Sequence, residues 1–112
     1  MYYEDREERR QAIEDSKITL AYYNGEIGTK ELYQYPFCCA YCRHFISEPN
    51  CPDCPWFKFE GMDCIEYYEK NYKKGTIGEA KGNRDYRKWH NFRKKRLAFI
   101  VEELEKEDRE AK

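Results

Sequence analysis

Apolar and polar positions follow helical periods toward both ends of this chain and lose any period in its middle. Over residues 84–110, Tyr86, Trp89, Arg93, Leu97, Ile100 and Leu104 recur every three or four positions, which places them on one helical face. Asn83 stands where an N-cap belongs. A helix of 27 residues reaches roughly 40 Å, more than so short a chain can cover with core, so its charged distal end is expected to project or fray.

Residues 4–24 carry a second helical pattern. Acids gather in the first turn, Ile13, Leu20 and Ala21 recur at helical spacing, and Asn24-Gly25 is a stop signal. A short helix is predicted within residues 28–36, capped by Thr29 and ended before Pro36. Another is predicted after Cys64, ending at Gly75 and followed by a glycine-containing linker. Between these, residues 36–64 are broken by Pro49, Pro52, Pro55 and Gly61, which excludes a long helix and favours tight turns.

That middle segment holds all six cysteines of the chain. Cys39-Ala-Tyr-Cys42 and Cys51-Pro-Asp-Cys54 are two C-x2-C pairs separated by eight residues. Tetrahedral Zn(II) takes four thiolates, and a C-x2-C turn brings two of them to one metal at little backbone cost. Cys64, ten residues past Cys54, stands as a substitute ligand, and Cys38 offers a C-x3-C register with Cys42. Pro55 lacks the N–H that a following residue donates toward a thiolate, so the second turn is the less stabilised.

Composition strengthens the metal reading. Leu occurs only four times, against eleven Tyr, six Phe and two Trp, so the aliphatic core is small and a staple is expected. Charged residues make up 38% of the chain, yet the 17% aromatic fraction argues against disorder. The opening residues are charged where a secretory leader is apolar, and no apolar run is long enough to span a bilayer. A cytoplasmic chain is therefore expected, and in that reducing compartment clustered cysteines read as ligands of a structural Zn2+ rather than as disulfides. Iron–sulfur ligation matches the residue type but not the spacing.

Catalytic patterns are missing. Neither H-x-E nor H-E-x-x-H occurs, and His44 and His90 lie 46 residues apart. No βαβ pattern surrounds either C-x2-C pair, which opposes a redox enzyme. Charge is uneven although the net is -1: residues 81–96 carry eight bases against Asp85 alone, and residues 102–112 carry six acids against three bases. Within the basic block, Arg87, Lys88, Arg93, Lys94, Lys95 and Arg96 are candidates for contact with nucleic acid or a protein partner. The interleaved Tyr86, Trp89 and Phe92 read either as base-stacking platforms or as core, and core is the commoner use. Trp56, Phe57 and Phe59 read as a mini-core beside the metal.

The succession "CAYCRHF", "NCPDCPWF" and "EGMDC" resembles the C-x2-C, C-x2-C-P and G-x2-C layout of short phage-encoded zinc-knuckle proteins of unassigned function. The similarity covers residues 38–104, and its specific part is the cysteine layout. The resemblance implies a viral or mobile-element protein with a structural metal, and carries over Cys39, Cys42, Cys51, Cys54 and Cys64 as ligands. The expected fold is a mostly α single domain of residues 1–112. A zinc knuckle over 36–64 would pin a helical segment, 1–35, to a part, 65–112, made of a short helix, a linker and a long basic-then-acidic helix. The expected function is a non-enzymatic binding protein, an adaptor or inhibitor of a host protein that does not enter membranes. A small nucleic-acid-binding zinc protein is the alternative.

Overall fold

Helical residues dominate the computed structural model, which describes residues 2–28, 54–62, 64–71 and 84–111. Four helices run in order: α1 (Arg6–Tyr23), α2 (Pro55–Glu60), α3 (Cys64–Asn71) and α4 (Arg84–Glu110). No strand occurs among the described residues. The short helix expected after Gly28 and the linker after Asn71 lie outside them.

Local chemistry explains each boundary. The Asp5 carboxylate caps α1, accepting from the N–H groups of Glu7 at 2.8 Å and Glu8 at 3.3 Å, with two acids in the first turn facing the positive end of the dipole. The helix stops where the residue pair promised. Gly25 takes φ +79°, its N–H donates to the Tyr22 carbonyl, and the Glu26 N–H reaches back to that of Ala21. Pro55 opens α2 at a position that needs no intrahelical N–H, and Gly61, at φ +81°, closes it. The long helix has the predicted bounds, Arg84–Glu110.

The face that α1 buries is not the apolar one. Arg9, Ala12, Ser16, Thr19 and Tyr23 form its buried stripe, with Asp15 alongside, while Ile13 and Leu20 are half-buried at the margin of the core. Polar side chains survive there because they bond locally. Ser16 Oγ donates to the Ala12 carbonyl at 2.6 Å and Thr19 Oγ1 to that of Asp15 at 2.8 Å, so each hydroxyl is satisfied on its own helix. α1 packs along α4, which buries Leu97, Ile100 and Leu104 in the same core.

The two long helices run antiparallel. Arg9, near the start of α1, meets Asp108 near the end of α4 at 2.9 Å, Lys17 meets Glu105 at 2.9 Å, and the Tyr23 carbonyl accepts from His90 at 3.0 Å. This corrects the expectation of a projecting distal end. The last turns of α4 are matched by the arginines of α1 and by the chain's opening residues. Both oxygens of Glu107 accept backbone N–H groups, from Tyr2 at 2.6 Å and Tyr3 at 3.0 Å, and Arg9 Nη1 donates to the Tyr3 carbonyl at 2.9 Å. These two helices pack directly on each other; the expected knuckle's residues 36–53 lie outside the described residues.

Aromatic rings replace missing aliphatic volume in the other half of the core. Trp56 of α2 and Trp89 of α4 meet edge to face at 5.6 Å, Tyr68 of α3 meets Trp89 at 5.5 Å, and Tyr67 stacks on Phe92 at 5.5 Å. Burying either tryptophan contributes about 2–3 kcal/mol from area alone.

The Arg9 guanidinium, hydrogen-bonded to Asp108, holds that carboxyl below its ordinary value of 3.8, and the charges of Arg9, Arg10 and Arg6 add to the effect. A carboxyl depressed in the folded state stabilises it fully above its unfolded value, and that stabilisation is lost as pH falls through the folded value. Asp108→Asn should therefore lower the melting temperature at pH 7 and flatten its decline below about pH 4. Thermal melts across pH 2–7 (about five points) check this; parallel curves for the two proteins would remove Arg9–Asp108 as a source of acid sensitivity.

Candidate functional site

Six basic residues of α4 were candidates for contact with a partner, and packing divides them. Arg93 is fully buried, four residues after Trp89 on the stripe that faces the core. Its guanidinium carbon lies 5.0 Å from the ring centre of Trp56 and 5.4 Å from those of Tyr23 and Trp89. A planar, weakly hydrated cation enclosed by three electron-rich faces is an internal cation–π arrangement, which lysine would reproduce poorly. Arg93 is thus withdrawn from any external phosphate or carboxylate, correcting its assignment to the contact surface.

Arg96 is also diverted. It pairs with Glu60 of α2, and its guanidinium carbon lies 4.6 Å over the Phe99 ring. The Glu60 charge in turn adds to burial in raising the Tyr67 phenol above its ordinary value, with Arg96 opposing, so Tyr67 stays neutral beside Phe92.

The other four, Arg87, Lys88, Lys94 and Lys95, are exposed and form no ion pair among the described residues. They fall within nine residues of one helix, a run of roughly 12 Å. The aromatic residues between them face inward: Trp89 is buried, and Phe92 is half-buried in contact with Trp56 and Tyr67. Between Arg87 and Lys95 the cationic surface therefore has no exposed ring of its own; the Tyr86 side chain lies outside the described residues.

Of the five predicted metal ligands, Cys54 and Cys64 lie among the described residues, and Cys39, Cys42 and Cys51 lie outside them. Cys54 is the N-cap residue of α2 and Cys64 the first residue of α3; both belong to the core cluster and are 9% exposed. No disulfide joins them. The Cys54 side chain makes no capping hydrogen bond, and the carbonyl of the same residue closes the first turn with the Lys58 N–H at 3.0 Å. Two buried thiols at adjacent helix starts suit inner ligands of a thiolate site, because backbone N–H groups of a first turn favour the deprotonated form. Among the described residues no three metal-binding side chains gather, so a closed site would draw its other thiols from elsewhere in the chain. Zn2+ would supply structural cross-linking there.

His44 lies outside the described residues. His90 is half-buried, with Nε2 donating to the Tyr23 carbonyl and its ring 4.7 Å from that of Tyr23, an anchoring role between α1 and α4.

Sequence reasoning passed over Tyr2 and Phe99 and read Phe59 only as part of a mini-core beside the metal. Tyr2 stacks on Phe59 at 4.0 Å and Phe59 meets Phe99 edge to face at 6.0 Å; Tyr2 is 39% and Phe99 40% exposed. Phe99 falls off the buried stripe of α4, a signal that was present in its spacing, but Tyr2 arrives there only through the tertiary fold.

Removing the internal cation tests its structural role. Arg93→Ala should cost about 3 kcal/mol in chemical denaturation, through the cavity and the lost ring contacts, while Lys94→Ala should change stability by less than about 0.5 kcal/mol. Equal effects would place Arg93 at the surface. No helix among the described residues is long and apolar enough to cross a membrane. Comparisons with protein-family models, with curated proteins and with solved structures found no match for this chain.

Proposed function

We propose that this chain is a non-enzymatic, zinc-stabilised binding protein, an adaptor or inhibitor that docks on an acidic surface of another protein through α4. One observation carries the reading. Arg93 and Arg96 are consumed by the fold, whereas Arg87, Lys88, Lys94 and Lys95 stay exposed along one stretch of helix and form no ion pair among the described residues. Clustered like charges left in water create a local potential that favours and steers an oppositely charged partner.

A protein partner is preferred to single-stranded nucleic acid because Trp89 and Phe92, the rings between Arg87 and Lys95, are turned to the core and are poorly placed as stacking platforms. The resemblance of the cysteine layout to phage-encoded proteins makes a host protein the partner class. Affinity capture from nuclease-treated lysate should retain acidic proteins on the wild-type chain and lose them on the Lys94→Glu, Lys95→Glu double variant. Recovery of nucleic acid before nuclease treatment and of nothing afterwards rejects the reading in favour of a nucleic-acid binder.

The metal serves the same function by holding the surface in shape. Cys39, Cys42, Cys51 and Cys54 are the first-choice ligands, with Cys64 as the substitute. The burial of both Cys54 and Cys64 supports them as members of the set. Native mass spectrometry should detect one Zn2+ per chain, lost with chelator together with thermal stability. A metal-free mass with fewer than six titratable thiols would reject the zinc assignment.

A further inference from the structure

Tyr2 and Phe99 are the large hydrophobic residues left exposed among the described residues, and Phe59 links them into one patch. They come from three separate parts of the fold: the opening residues, α2 and α4. The patch is held from beneath. Glu107 fixes the Tyr2 backbone, and Arg96 lies over Phe99 while pairing with Glu60. Its rings are therefore presented in fixed positions, so little side-chain entropy is lost when a partner covers them.

The patch continues directly into the cationic surface. Lys88, Phe92, Lys95 and Phe99 are spaced four, three and four residues apart, which sets them along one ridge of α4. Lys88 and Lys95 are exposed and make no ion pair among the described residues, and the ridge ends at Phe99 beside Phe59. Toward the other end of α4, Glu102 and Glu110 are exposed and Glu103 is half-buried. The order along the helix is thus cation, aromatic, then acid at Glu102 and Glu103, ahead of the exposed Lys106 and Arg109.

We propose that this ridge recognises an acidic protein segment carrying one large apolar anchor. The anchor covers Tyr2 and Phe99, and the acids lie toward Lys95 and Lys88. Charge complementarity selects the partner and its direction: acids placed beyond the anchor would face Glu102 and Glu103 and be repelled. A phosphate backbone tracking the whole helix meets the same repulsion. The inference rests on the binding reading above and adds the apolar anchor and the polarity of the contact.

Three synthetic peptides test it against the full-length protein by fluorescence anisotropy. One has four Glu preceding a Trp, one has Ser in place of that Trp, and one is an all-Glu peptide of the same length. The Trp peptide should bind about 10-fold or more tighter than the Ser peptide, and Phe99→Ser should bring the two within about 2-fold. Lys88→Glu with Lys95→Glu should weaken all three peptides, and raising salt should weaken the all-Glu peptide most steeply. Circular dichroism on each variant confirms that the helices persist. If the Trp and Ser peptides bind equally and both depend on the lysines, the anchor is overturned while the acidic-partner reading stands. If none binds at millimolar concentration, both are overturned. A Trp preference that survives Phe99→Ser also overturns the proposed anchor site.

Discussion

The guanidinium of Arg93 sits where three helices meet, with one aromatic ring from each around it: Tyr23 from α1, Trp56 from α2 and Trp89 from α4. A chain with four leucines cannot fill such a junction with aliphatic side chains, and it uses a large planar cation and large planar rings instead. Burying a charge is costly unless its surroundings answer it, and ring faces answer a guanidinium better than they would an ammonium. The placements of α2, of Cys54 at its start and of the Tyr67–Phe92 stack beside it all adjoin this junction.

A second consequence is a sorting of cations. Arg9 and Arg10 answer Asp108, Lys17 answers Glu105, Arg96 answers Glu60, and Arg93 is enclosed. Near-neutral net charge therefore hides two populations: bases spent on holding helices together and bases left facing water. Among the described residues the second population includes Arg6, Lys70, Lys106 and Arg109. Its densest group, Arg87, Lys88, Lys94 and Lys95, lies on one stretch of α4 next to rings that the opening residues and α2 hold in place. The proposed binding surface is the remainder there after structural needs are met.

Much of the helical frame was legible. The 3–4 spacing of Trp89, Leu97, Ile100 and Leu104 located α4 and its buried face, and Asn24-Gly25 marked the end of α1, because these are local rules that act over a few residues. The buried face of α1 was not legible from hydrophobicity. Ser16 and Thr19 lie inside because their hydroxyls bond to their own helix, which makes polar residues serve as small packing groups. The docking of the distal end of α4 was missed for a related reason. Its partners, Tyr2, Tyr3 and Arg9, are about 100 residues away in the chain, and no local pattern points to them.

By itself, the sequence determined the positions of α1 and α4, the end of α1, a helix after Cys64 and the scarcity of aliphatic core, since each follows from periodicity, capping chemistry and composition; α2, within the segment read as turns, was not among them. The sequence also marked α4 as basic in one half and acidic in the other. Tertiary structure alone decided which bases are sequestered and which meet solvent, and which rings assemble into an exposed patch. Charge and aromaticity are properties of a residue, whereas availability depends on what packs against it. Arg93 and Lys94 are neighbours in sequence with the same charge, yet one closes the core and the other faces water.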